Sequence, residues 1–227
     1  MNSSVDAVIP EEPSAEIEAL CILEPRFHPL AKRHHPFPLP SRPFSFDLFA
    51  GSIVGQSIST KAASSVMKRL RSEIAEGGKL TASLIQSYDA PTLKSLGLSR
   101  AKAECLLELA DYWATERLTP QKVQSWSNQE FYERFGSIRG IGPWTVNMVL
   151  IFGLRRVDIF PEGDLGIRVG IQMFLDLPER PSQKQCRDLA LPWAPYRTLA
   201  TVYLWQLVME KSKSGLDDDS TWWSEAN

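Results

Sequence analysis

Residues 136–150 read GSIRGIGPWTVNMVL, three glycines and a proline set directly ahead of an apolar run. Residues that oppose helix formation, placed at the mouth of a helix, mark a tight turn. Upstream, Ser127 and Glu130 in SNQE have capping-box spacing, which predicts a helix over 128–135. Downstream, Pro143 at a first helical position starts a second helix through Gly153. The two helices and the GSIRGIG turn make a helix-hairpin-helix. Ile141 can plug the hairpin into a core while Gly140 and Gly142 let the backbone approach a partner closely. The N–H groups at the start of the second helix, at its positive dipole end, suit a phosphate. Such contact touches backbone only and is blind to base sequence. Any αα-hairpin needs a turn of this kind, so the motif is weak evidence taken alone.

The rest of the chain also has the period of helices. From Phe46 to about Ile74, the residues Phe46, Phe49, Ile53, Ala62, Val66, Met67 and Leu70 recur at three and four and predict one long amphipathic helix. Gly55 inside it signals a close approach. Asp89 and Gly97 punctuate a short helix, and Ser99 caps another with Cys105, Leu106, Leu109, Ala110 and Trp113 on one face. Asp164 caps a helix through about Leu175, Ser182 a further one, and a last long helix starts from Pro195. No apolar–polar alternation stands against these, so the fold class is all-α, with short connections and no internal repeat.

A chain of 227 residues, 43% hydrophobic, suffices for one large domain or two small ones. The first fifteen residues are acidic and broken by proline, unlike a secretory signal, and no run is long enough to span a bilayer, so an intracellular location is expected. The net charge of −2 conceals an uneven distribution: residues 1–25 and 214–227 carry ten acids and no base, leaving 17 acids against 25 bases between them. A basic body with acidic ends permits a polyanion partner, and a solvated surface accounts for the same numbers. Cys21, Cys105 and Cys186 form no CxxC and are too few for a four-cysteine cluster, so reduced, buried thiols are expected. His28, His34 and His35 lie in the proline-dense HPLAKRHHPFPLP, which has the composition of a connector more than of a metal site.

The segment IRGIGPWTVNMVLIFGLRRVDIFPEGDLGIR resembles the glycine-rich hairpin and downstream aspartate of the helix-hairpin-helix DNA glycosylase superfamily. Within it the chain most resembles the 3-methyladenine DNA glycosylase II (AlkA) family. FAGSIVGQSISTKAAS is similar to that family's early helix with its Gln-x-x-Ser core, GLSRAKAECLLELA to its GLS-x-x-K-A helix, and WAPYRTLATVYLW to its C-terminal segment ending in a pocket tryptophan. The resemblance spans about residues 45–206 in the family's order. It implies a six-helix domain over 44–153, ending in the hairpin at about 128–153. It also implies a second helical domain from 16–43 and 154–213, and an active-site cleft between the two. Residues 1–15 are expected to be a disordered acidic N-terminus, 214–227 an acidic tail, and the N-terminal β-domain of larger relatives to be absent.

Carried over residue by residue, the resemblance makes Asp164 the catalytic carboxylate, beside a sugar that becomes cationic as its N-glycosidic bond breaks. An N-cap role at Asp164 is compatible with that, because a helix N-terminus suits an anion. Trp144 stands where lyase relatives carry a nucleophilic lysine, which implies a monofunctional enzyme leaving an abasic site. Trp144 and Trp205 match aromatic residues of the base pocket, where electron-rich rings favour a cationic alkylated base. Met148 takes the place of a pocket tyrosine, and Tyr203 offers a replacement hydroxyl. Gly140, Ile141, Gly142 and Thr145 are expected at the DNA backbone. Gln56 and Ser57 fall at the gap left by a flipped nucleotide. Arg197 is a structural or phosphate-side residue, while Asp158 and Glu162 are taken as loop acids and an Arg168–Asp164 contact as a surface pair. The implied function is excision of alkylated bases such as 3-methyladenine and 7-methylguanine from double-stranded DNA in base excision repair. A monomer is expected, with no required cofactor and no side-chain metal site, and with a monovalent cation on the hairpin's backbone carbonyls. The alternatives are a non-catalytic helix-hairpin-helix DNA-binding module and a glycosylase for other damaged bases.

Overall fold

A computed structural model of the chain describes residues 6–40 and 42–213. In chain order its helices are α1 Ser14–Leu23, α2 His28–Arg33, α3 Phe46–Gly55, α4 Thr60–Ala75, α5 Ala82–Gln86, α6 Ala90–Ser95, α7 Arg100–Thr115, α8 Pro120–Gln124, α9 Asn128–Gly136, α10 Pro143–Met148, α11 Leu165–Phe174, α12 Gln183–Ala190 and α13 Arg197–Lys213. Single 3-10 turns precede α2 and α13, and a π turn, Val149–Gly153, continues α10. Among the described residues no strand forms and no helix is long and apolar enough to cross a membrane. The chain divides into two compact units, one of residues 42–154 and one that joins 6–40 to 155–213.

Local chemistry sets most of these boundaries. Ser59, Thr81, Asp89, Ser99, Thr119, Ser127, Asp164 and Ser182 each accept a backbone N–H two or three residues into the helix they open. Each such cap contributes about 1 kcal/mol. Ser127 with Glu130 closes the expected capping box. The single helix expected from Phe46 to Ile74 is corrected to two. Ser57 takes a left-handed backbone, φ +56°, and Ser59 opens α4, which puts Ala63, Met67, Leu70 and Ile74 inside and leaves Ala62 exposed. With that break and the short α5 and α8, the 42–154 unit holds eight described α-helices where six were expected. Its core is aromatic: Phe44 stacks on Trp113 at 5.0 Å, Phe49 packs against Phe135 at 4.5 Å, and Phe131 touches both Phe44 and Phe135. Each fully buried ring contributes about 1.5–3 kcal/mol.

The other unit is built from both ends of the described chain. Residues 6–15 are not the disordered segment that their acids and prolines suggested: Val8 bridges Arg156, Ile9 donates to the Arg155 carbonyl at 2.7 Å, and its side chain is 1% exposed. The proline-dense connector expected around His28 contains α2. Phe27 stacks on Phe174 at 4.3 Å and meets Trp193 edge-on at 5.3 Å, which ties the N-terminal segment to α11 and the turn before α13. Residues 1–5 and the acidic tail at 214–227 lie outside the described residues. All three cysteines are free, buried thiols, as expected.

Candidate active site

In the 42–154 unit the hairpin turn reverses at Gly140, whose φ of +95° lies in the left-handed region. A Cβ at that position would stand 3.2 Å from both Cβ and Sγ of Cys105, so backbone and neighbour alike call for glycine. Gly142 differs. Its φ is −97° and a Cβ there would meet nothing within 4 Å, so the fold tolerates other residues and what glycine preserves is open space before α10. Ile141 is 4% exposed and plugs the turn as expected. Across the hairpin, the Tyr132 hydroxyl donates to Asn147 Oδ1.

Two residues expected at DNA turn inward instead. Thr145 is buried, its hydroxyl accepting from Gln56 Nε2 at 2.8 Å. The same Gln56 nitrogen donates to the Gly140 carbonyl at 2.9 Å, so Gln56 braces the hairpin and does not project into a gap. Ser57 is exposed at the break between α3 and α4. Lys102, a residue to which sequence reasoning assigned no role, donates to the carbonyls of Val54 at 2.8 Å and Gln56 at 2.7 Å. Trp144 is half-buried, and its ring lies 3.8 Å from where a Cβ on Gly55 would stand, the close approach that Gly55 signalled. Met148, expected in a base pocket, has no exposed surface and is a core residue, since α10 turns it inward with Val146 and Asn147.

In the other unit Asp164 caps α11. Its Oδ1 accepts the Ile167 N–H at 2.9 Å and the Trp205 indole N–H at 3.1 Å. Trp205 therefore orients the carboxylate. Gly166 makes the meeting possible, because a Cβ there would stand 3.0 Å from Asp164 Oδ1 and 3.2 Å from Trp205 Cδ1. The segment leading to Asp164 is anchored to the start of α13. Arg197 holds Asp158 with its guanidinium, Nε to Oδ1 at 2.6 Å and Nη2 to Oδ2 at 2.8 Å, and with its backbone N–H to Oδ1 at 3.3 Å. Thr198 Oγ1 donates to the Arg156 carbonyl and accepts from the Ile159 N–H. Asp158, read as a loop acid, is thus corrected to a buried anchor, 6% exposed, and Arg197 is structural. Glu162 pairs with Arg187 on the surface, and Arg168 donates to the Pro181 carbonyl.

Tyr203 is corrected as well. Two residues from Trp205 on a helix is about 200° of rotation, which sends Tyr203 to the opposite face of α13. There its ring meets Phe37 edge-on at 5.3 Å, and it lines a separate cavity of about 500 Å³ with Cys21 and His34. Burial holds its phenol well above the usual range. Among the described residues no group of three His, Cys, Asp or Glu could hold a metal ion.

This geometry has a family. The model described as HhH-GPD superfamily base excision DNA repair protein matches residues 50–195, a span that includes the hairpin, Asp164 and Asp158. The chain belongs to this superfamily. Among curated members it is 33% identical over 156 residues to a DNA-3-methyladenine glycosylase 1 of Schizosaccharomyces pombe, covering 68% of each chain. It is 30% identical over 159 residues to an alkylbase DNA glycosidase-like protein of the same yeast, covering 69% of this chain and 74% of that one. Among solved members, a 3-methyladenine DNA glycosylase of S. pombe in complex with abasic DNA superposes with a TM-score of 0.79 at 29% identity, over 88% of this chain and 97% of that one.

Proposed function

We propose that this superfamily member is a monofunctional DNA glycosylase that extrudes alkylated bases, 3-methyladenine and 7-methylguanine among them, from duplex DNA and hydrolyses the N-glycosidic bond. The observation that carries the reading is the Asp164 carboxylate, fixed through Oδ1 by the Ile167 and Trp205 N–H groups at the N-terminus of α11. As the bond to the base lengthens, positive charge grows on the sugar, and a carboxylate already oriented stabilises it without reorganising. At about 4 Å and intermediate dielectric, such a pair contributes on the order of 4 kcal/mol, about three orders of magnitude in rate. The names of the similar yeast proteins support the substrate class.

Trp144 follows Pro143 at the start of α10, and an indole cannot form the imine with the sugar that an amine nucleophile forms. The abasic strand is therefore left uncut. The hairpin meets a phosphate at Gly142, where the space before α10 is open. A monovalent cation on the turn's backbone carbonyls belongs to the same proposal; Gly140 O, which accepts from Gln56, has a second lone pair to offer it. The chemistry draws on no metal or organic cofactor, and the enzyme acts as a monomer.

The test is release of free base from methylated duplex DNA by wild type and Asp164→Asn, with strand breaks scored before and after alkali. Release by wild type alone, with breaks only after alkali, is the expected result. Breaks without alkali refute the monofunctional assignment. Duplex binding by both proteins with no base release favours a DNA-binding module, which needs the hairpin and not Asp164.

A further inference from the structure

Lys102 occupies a costly position. It lies in the first turn of α7, three residues after the Ser99 cap, where the helix dipole opposes a cation. It is also half-buried, and desolvation lowers its pKa. Surface stability does not call for a lysine there. Its ammonium instead reaches across to the C-terminal end of α3, where carbonyls lack intrahelical partners, and takes those of Val54 and Gln56 at 2.8 and 2.7 Å. Gln56 in turn donates to the Gly140 carbonyl at the hairpin reversal and to Thr145 at the first turn of α10. A cation on α7, the end of α3 and the hairpin thus form one continuous chain of hydrogen bonds.

We propose that Lys102 is a positioning residue for DNA engagement: by clamping the end of α3 it fixes Gln56, and through Gln56 it sets the hairpin turn that meets DNA phosphate. This rests on the DNA-binding part of the function proposed above. Lys102 itself touches no DNA.

The test compares wild type, Lys102→Met, Gln56→Ala and the double variant as full chains. The readouts are affinity for an undamaged duplex across a salt series, KM and kcat on methylated duplex, and thermal midpoint. Lys102→Met is expected to weaken duplex affinity and raise KM about tenfold, with kcat moving less than twofold, and the double variant to bind no worse than Gln56→Ala alone. The slope of log affinity against log salt stays that of wild type. A slope smaller by about one assigns Lys102 a direct phosphate contact and overturns the proposal. Additive effects of the two substitutions overturn it too, as does a loss confined to kcat. Should Lys102→Met fail to fold, Lys102→Leu, which likewise has no donor for the Val54 and Gln56 carbonyls, is put through the same cycle and judged by the same outcomes. A wild type that binds duplex but releases no alkylated base overturns the substrate assignment alone, because the undamaged duplex still decides the role of Lys102.

Discussion

Replacing Trp205 with phenylalanine removes one hydrogen bond from Asp164 and keeps an aromatic ring on α13. The indole N–H donates to Oδ1 at 3.1 Å, and the Ile167 N–H at 2.9 Å survives the substitution. The carboxylate stays at the end of α11 but loses the indole donor that aims Oδ1. A hydrogen bond to a charged group contributes about 1.5–3 kcal/mol. Realised in the transition state, that range is about tenfold to a hundredfold in rate. Asp164→Asn removes the charge itself and is expected to cost about a thousandfold. The assay is single-turnover base release from methylated duplex at saturating protein, with duplex affinity measured in parallel. The Trp205→Phe rate should fall between wild type and Asp164→Asn, affinity should hold within about threefold, and the double variant should be no slower than Asp164→Asn alone. A Trp205→Phe enzyme within twofold of wild type, or one whose whole defect is weaker DNA binding, refutes the orienting role.

The two hairpin glycines should separate cleanly. Gly140→Ala, forced into a left-handed backbone against Cys105, is expected to cost about 1–3 kcal/mol in chemical unfolding. Gly142→Ala should leave unfolding within about 0.5 kcal/mol and weaken duplex binding, because its Cβ enters only open space. Burial pushes the Cys105 thiol up to about 11, with Glu108 adding to the shift. The folded state therefore keeps a proton that the unfolded chain releases near pH 9, so this thiol's contribution to stability is fully present below that pH and is lost between pH 9 and 11, by up to about 3 kcal/mol. Urea unfolding at pH 8 and 10.5, with Cys105→Ala as the variant that loses this dependence, measures it. Arg197→Ala strands the buried Asp158 carboxylate and should cost about 3 kcal/mol, much more than the pair is worth against a well-packed apolar replacement. Thermal unfolding of Arg197→Ala beside an Asp158→Leu/Arg197→Met double variant checks that ordering.

What was legible in the sequence was local. Caps at Ser99, Ser127, Asp164 and Ser182, and the glycine hairpin, are decided within a few residues of one another, and the structure bears them out. The split between α3 and α4 was missed because the spacing of three and four holds on either side of it; across the break nine residues separate Ile53 from Ala62, and the buried face resumes one residue later, at Ala63. Ile9 was misread because its burial depends on Arg155 and Val157, about 150 positions away in a chain that otherwise looks polar and proline-broken around it. Asp158 and Lys102 were missed for the same reason: each earns its place through a partner 39 or more residues distant, and no local pattern announces such a partner. Tyr203 and Thr145 were placed by motif position, which carries no information about the direction in which a side chain leaves its helix.

The unequal construction of the two units also dictates an order of assembly. Residues 42–154 are contiguous, so that unit holds its whole core once Leu154 has left the ribosome. The other unit does not: Ile9 finds the Arg155 carbonyl, and Arg33 finds Glu210, only after more than a hundred further residues have been made. At about 5–20 residues per second, the N-terminal segment waits many seconds without the partners that order it, and helices as short as α1 and α2 are marginal alone. A nascent chain stalled before residue 155 should therefore carry a protease-resistant middle and a cleavable leading end, and the carboxylate of Asp164 becomes a site only when the last helix arrives to hold it.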